Sequence, residues 1–137
     1  MRVFNQLVFS GYVTGTSAPV YSDEHYQDLL GQADLLSLSG YTAQVTGSSP
    51  TLTVRVQQSF DKFRWLDRNA HSTPEINNST LQTGTTETVV QGHDGNGVQT
   101  WIFPRIAFVR LRIILAGTGA VSAQVRIWAT GRDRRLG

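Results

Sequence analysis

The sequence predicts an all-β fold, an antiparallel β-sandwich of jelly-roll type. Three observations lead there. Apolar and polar residues alternate with the period of a strand in several short runs. Turn-forming residues recur at intervals of about eight to twelve residues, helped by thirteen glycines. Only one stretch suits a helix, and it is short. At 137 residues the chain is expected to form a single domain with a core of its own.

In chain order, residues 3–9 alternate loosely and form a first expected strand. Residues 10–22 are rich in Gly, Ser and Thr, include Pro19, and are expected to form a loop or extended arm. Residues 23–30 suit two helical turns, with Ser22 as N-cap, Asp23 and Glu24 in the first turn, and Gly31 as the stop. Residues 33–38 and 41–46 are strand candidates, the second closed by Gly47, Ser48, Ser49 and Pro50. Residues 51–59 give the clearest strand of the first half, with Leu52, Val54 and Val56 facing in and Thr53, Arg55 and Gln57 facing out.

A short aromatic strand is expected over residues 62–66, a polar loop around Pro74 over 69–80, and a Thr-rich extended segment over 83–90. Residues 92–97 (GHDGNG) suit a turn, and residues 98–103 a strand halted by Pro104. The last element is an expected hairpin. Val109, Leu111, Ile113 and Leu115 share one face, as do Val125, Ile127 and Ala129, and the two runs flank Gly117-Thr118-Gly119-Ala120. Gly117 and Gly119 can take the positive backbone angles of a hairpin turn. Residues 132–137 form a basic tail.

Composition narrows the function. Hydrophobic residues make up 39% and charged residues 16%, a balance suited to a β-protein with polar, uncharged outer faces and unlike that of a disordered chain. With no cysteine there is no disulfide, thiolate zinc site or cysteine nucleophile. The opening MRVFNQLVFSG is broken by Asn5 and Gln6, so no secretory signal is expected, and no apolar run is long enough to span a bilayer.

Chemistry-bearing patterns are sparse. His25, His71 and His93 stand far apart without metal-ligand spacing. Asp94 and Asn96 offer oxygens at alternate positions, but the later acidic ligands of a calcium loop are missing and a turn explains the segment better. Asp61 and Asp67 flank an aromatic run without forming the facing pair a glycosidase needs. Neither a nucleophile elbow nor a phosphate-binding glycine loop is present. The expectation is a chain that is not an enzyme and needs neither cofactor nor metal. Arg and aromatic residues interleave at 60–65 and 126–128, as in nucleic-acid platforms, but a net charge of +2 and the nearby acids argue against that partner. The alternative reading is a carbohydrate-binding module, a head spike or receptor-recognition protein, using Trp65, Trp101 or Trp128.

The distribution of charge points to an interface. Residues 101–137 carry seven arginines against Asp133 alone, whereas residues 1–100 carry five basic residues against nine acids. Arg favours planar, bidentate contact with carboxylates and is enriched in protein interfaces. Parity places Arg110, Arg112 and Arg126 on one outer sheet face, with Arg55 joining them. Together with Trp128 and Arg132 they are the expected partner-binding residues. Residues 10–22 and 132–137 lack anchoring apolar periodicity, so they are expected to order on contact with a partner.

Residues 53–61 read TVRVQQSFD and residues 108–118 read FVRLRIILAGT, followed by 125–129 and then Gly131-Arg132. This pattern resembles small β-sandwich structural proteins of tailed bacteriophages, of the capsid decoration or cement type, in which a TVxVQxSxD strand precedes an xVRLxxxLxGT hairpin. The resemblance spans residues 51–132, and the family turn Ser-x-Asp-Gly becomes Ser59-Phe60-Asp61-Lys62. It implies a virion protein made in the bacterial host cytoplasm. Such a protein binds the major capsid protein lattice at the capsid surface as a homotrimer, with no membrane partner.

Overall fold

The computed structural model describes residues 2–15, 19–24, 35–67, 76–91, 99–100 and 108–133. Every regular element among them is a strand: β1 (Arg2–Thr14), β2 (Val20–Tyr21), β3 (Leu35–Ser59), β4 (Leu66–Asp67), β5 (Ile76–Thr80), β6 (Thr88–Gln91), β7 (Gln99–Thr100) and β8 (Phe108–Asp133). All pairings are antiparallel. The all-β, antiparallel expectation holds.

The two long strands, β3 and β8, organise the molecule. They pair along their whole length, from Leu35↔Arg132 to Ser59↔Phe108, with register shifts only between Ala43 and Thr51. Those shifts mark a corner. Gln44 (φ 52°), Gly47 (φ 105°) and Ser49 (φ 50°) take left-handed backbone angles there, and Gly119 (φ 80°) does so across the ladder. A bulged, locally left-handed stretch bends a strand pair without ending it. Thr46 Oγ1 lies 2.7 Å from Ser122 Oγ and donates to the Ala120 carbonyl at 3.0 Å. The Gly15 amide donates to the Val121 carbonyl at 2.8 Å, and Val45 and Gly84 exchange backbone hydrogen bonds at 2.9 and 3.0 Å.

The bend divides the ladder into two arrays. In the first, β1 pairs with residues 122–133 of β8, which pair with residues 35–43 of β3, which pair with β6. In the second, β2 pairs with residues 112–113 of β8, whose stretch 108–116 pairs with residues 51–59 of β3, which pair with β5. The short β7 extends the first array and β4 the second. This is the strand order of a jelly roll, a long ribbon folded over on itself.

The core confirms the folding-over. Leu38, Val125 and Ile127 of the first array, and Leu52, Val54, Val56, Leu111 and Ile113 of the second, are fully buried in one hydrophobic cluster. A sheet cannot bury one face to this degree without a second layer. Each array is the other's cover.

Several expected local structures differ. The expected hairpin around residues 117–120 is a corner within β8: residues 108–115 pair with 52–59 of β3, not with the run that follows them. Likewise, residues 47–50 bend β3 rather than end it. Residues 10–14, expected to open an arm, complete β1, where Val13 is buried and pairs with Ala123. Residues 20–21 of the same expected arm form β2. Ser22, expected as an N-cap, is tied to β8. Its Oγ accepts the Leu111 amide at 2.8 Å and its own amide donates to the Leu111 carbonyl at 3.0 Å. Residues 76–80, expected within a polar loop, form β5 because Ile76 fills the core opposite Val54. The expected helix beyond Glu24, the turn at 92–97, the strand residues 101–103 and the tail beyond Asp133 lie outside the described residues.

Candidate functional site

The expected partner-binding arginines divide between the two arrays. Arg55 and Arg112 are direct cross-strand partners on the second array, and Arg110 sits opposite Gln57 beside them. Arg126 and Trp128 belong to the first array, opposite Tyr41 and Ser39 of β3. All face outward, as parity requires, since Val54, Leu111, Val125 and Ile127 face in. The single arginine face expected from the sequence is therefore two faces on opposite layers. The corner carries β3 and β8 from one layer to the other without changing parity, since odd positions of β8 are buried on both sides of it. Arg132 pairs through its backbone with Val3 and Leu35.

On the second array Arg110 is engaged within the chain itself. The Arg110 guanidinium lies 3.9 Å from the Tyr21 ring centroid and 4.1 Å from that of Trp65, and its Nε donates to Gln57 Oε1 at 2.9 Å. These contacts fasten residues 59–65 back over the sheet. Lys62 Nζ sits 4.7 Å from the Phe108 ring and 3.6 Å from Glu24 Oε1.

The segment leaving β3 is a tight turn rather than the expected aromatic strand. Ser59 Oγ accepts the amides of Asp61 and Lys62 at 3.3 and 2.8 Å. Asp61 Oδ1 accepts those of Phe63 and Arg64, both at 2.9 Å, and receives the Ser59 hydroxyl at 3.1 Å. Such side-chain-to-backbone bonds compete with a sheet ladder and win here. Lys62 takes a left-handed φ of 66° within this turn. The amides of Arg64 and then Phe63 hold the Asp61 carboxyl below the usual carboxylate range, with the Ser59 hydroxyl and Arg64 side chain adding to this. Sequence reasoning found Ser59 and Asp61 as a motif and missed what they do. The signal was there, since Ser and Asp two residues apart ahead of a positive-φ position make a turn signature.

The first array is open. Tyr41 and Trp128 meet edge to face, with centroids 5.7 Å apart and planes at 86°. Two shallow depressions of about 430 and 410 Å³ adjoin at Tyr41. One is lined by Gln44, Glu87, Gln124 and Arg126, the other by Asn5, Val89, Trp128 and Thr130. Arg126 Nη1 pairs with Glu87 Oε1 at 3.6 Å, both side chains more than half exposed. Apolar surface extends along this face through Leu7, Tyr12, Tyr41 and Val89.

Among the described residues, no three His, Cys, Asp or Glu side chains gather as metal ligands, and no helix is long and apolar enough to cross a membrane. Of the tryptophans considered for sugar binding, Trp65 is taken up by Arg110, Trp128 stands edge-on to Tyr41, and Trp101 lies outside the described residues.

No protein-family model matches the chain, and a search of curated proteins finds no match. Solved structures to which it is similar include several from infectious bursal disease virus. The Gx strain structure is 15% identical over 94% of this chain and 31% of that one, with a TM-score of 0.48. The VP2 subviral particle is 15% identical over 96% of this chain and 33% of that one, also at 0.48. The Gt strain structure is 16% identical over 94% and 31%, at 0.42. The chain thus spans about a third of the length of the structures it matches.

Proposed function

We propose that this chain is a structural component of a virus particle, a decoration or cement protein on the outer surface of the major capsid protein lattice, assembled as a homotrimer. The observation that carries this is the pair of four-strand arrays built by folding one long β3–β8 ladder across a corner. Viral coat domains use this jelly-roll architecture, and so do lectins. The outer surfaces favour the first. Sugar rings stack on broad exposed aromatic faces, whereas Tyr41 and Trp128 meet edge-on and Trp65 is covered by a guanidinium. Exposed apolar side chains beside charged ones suit contact with protein. A catalytic or cofactor-dependent role has no support in the sequence motifs.

The test is copy number in purified particles. The chain is expected in a fixed ratio to the major capsid protein, and particles lacking it are expected to rupture at lower temperature. A chain absent from particles, or present without stoichiometry, sinks the reading.

A further inference from the structure

The turn after β3 is the most exposed apolar feature of the described residues. Phe63 is 89% exposed, Leu66 69% and Phe60 59%. This exposure is imposed. Five hydrogen bonds fix the turn through Ser59 and Asp61, the Trp65 Nε1–H donates to the Lys62 carbonyl at 3.1 Å, and Trp65 is stacked on Arg110. These bonds fix the backbone that carries Phe63, including its own amide. An exposed aromatic on a pre-formed turn is costly to leave in water and spares the backbone ordering cost on docking, which is the profile of an interface anchor. Lys62 and Arg64 flank it; Arg64 Nε lies 3.9 Å from Asp61 Oδ2, a loose pair with the Arg64 side chain 89% exposed.

The other layer of the same chain carries a recess on its outer face. Tyr41, Val89 and Trp128 supply the apolar part of the adjoining depressions among polar neighbours such as Asn5, Gln44 and Gln124, and Glu87, paired with Arg126 at 3.6 Å and about half exposed, stands at the rim. The turn rises from the second array and the depressions lie on the outer face of the first, so one chain cannot close the contact on itself. A second copy can. We propose that the Phe60–Phe63 turn of one copy docks into the Tyr41–Trp128 depression of the next, with Arg64 joining the existing Arg126–Glu87 pair at the rim. This contact is heterologous and self-propagating, and it closes into a ring where the rotation per copy permits. It deepens the homo-oligomer part of the proposed function and assigns that reading its surfaces.

Sedimentation velocity of the full chain over a concentration series tests it. The wild type is expected to self-associate. Phe63→Ser, at a position too exposed to disturb folding, is expected to weaken association at least about tenfold, as loss of an anchor does. Tyr41→Asp is expected to do the same from the other side. An equimolar mixture of Phe63→Ser and Tyr41→Asp keeps one good turn and one good depression, so it is expected to form a 1:1 complex and nothing larger. A wild type that stays monomeric, a Phe63→Ser variant that associates as before, or a mixture that fails to pair would each overturn the proposal. Particle composition is read separately. A chain found in particles but monomeric in solution ends this inference and leaves the virion reading standing; an oligomer absent from particles does the reverse.

Discussion

The Arg110 guanidinium lies 4.1 Å from the centroid of the Trp65 ring, and this contact ties the turn after β3 to the outer face of the sheet. Arg110 looks from the sequence like a group waiting for a partner. The partner is intramolecular. Trp65→Ala is expected to cost about 1–2 kcal/mol, the worth of a partly desolvated cation–π contact. Arg110→Lys keeps the charge but loses the planar stack and the bond to the buried Gln57, so it is expected to cost about 1 kcal/mol or more. Urea denaturation measures both. An unchanged midpoint for Trp65→Ala would show that other contacts hold the turn.

Strand pairing within the first array depends on close backbone approach at Gly40, opposite Ile127 of β8. A Cβ on Gly40 would fall 1.9 Å from the Arg126 carbonyl oxygen, a backbone atom that cannot move aside. Gly40→Ala is expected to destabilise by about 3 kcal/mol or more, beyond ordinary overpacking. Gly119 has open space around it but φ 80°, so Gly119→Ala is expected to cost only about 1–2 kcal/mol from the left-handed backbone. The contrast separates a packing limit from a conformational one. Equal costs at the two sites would mean the close approach at Gly40 is relieved by relaxation.

Ile113 is fully buried, opposite Val54 on one side and Val20 on the other, where β2 joins the second array. Ile113→Ala is expected to cost about 2–5 kcal/mol and Ile113→Val about 0.5–1.5 kcal/mol. Arg126→Ala, which breaks an ion pair open to solvent on both sides, is expected to cost no more than about 1 kcal/mol. Thermal melts rank the three. An Arg126→Ala variant as damaged as Ile113→Ala would contradict the placement of Arg126 on an open face.

Alternation made the inner face legible. Leu52, Val54, Val56, Leu111, Ile113, Val125 and Ile127 all face the core, because parity depends only on neighbouring residues. What alternation does not carry is which strand pairs with which. Gly117 to Ala120 has the composition of a hairpin turn, yet the run before it pairs with residues 52–59, some 49 to 63 positions away in sequence. Glycine with positive φ serves a corner as well as a reversal, and only the distant partner decides between them. The same limit split the arginine face. Arg112 and Arg126 share parity, and the bend between them places them on opposite layers. Tyr41, Val89 and Glu87 drew no attention in the sequence, since each is ordinary alone and they meet only through β3–β6 pairing.

The turn that presents Phe63 has a pH limit set by Asp61. Amides of Arg64 and Phe63 donate to its carboxylate and hold its pKa below the ordinary 3.8. A group depressed on folding contributes stability that is full above the unfolded value and is lost as pH falls through the folded one. The affected window therefore lies below about pH 4, with no contribution to change from this group near neutrality. Following the Phe63 and Arg64 amide resonances through an acid titration reads the group directly. Their shared inflection is expected below 3.8, and it is expected to vanish in Asp61→Asn. Association through Phe63, where it occurs, is expected to weaken over the same acid range, because a protonated Asp61 no longer fixes the two amides that aim the ring. An inflection at or above the ordinary value would mean that the carboxylate does not organise the turn.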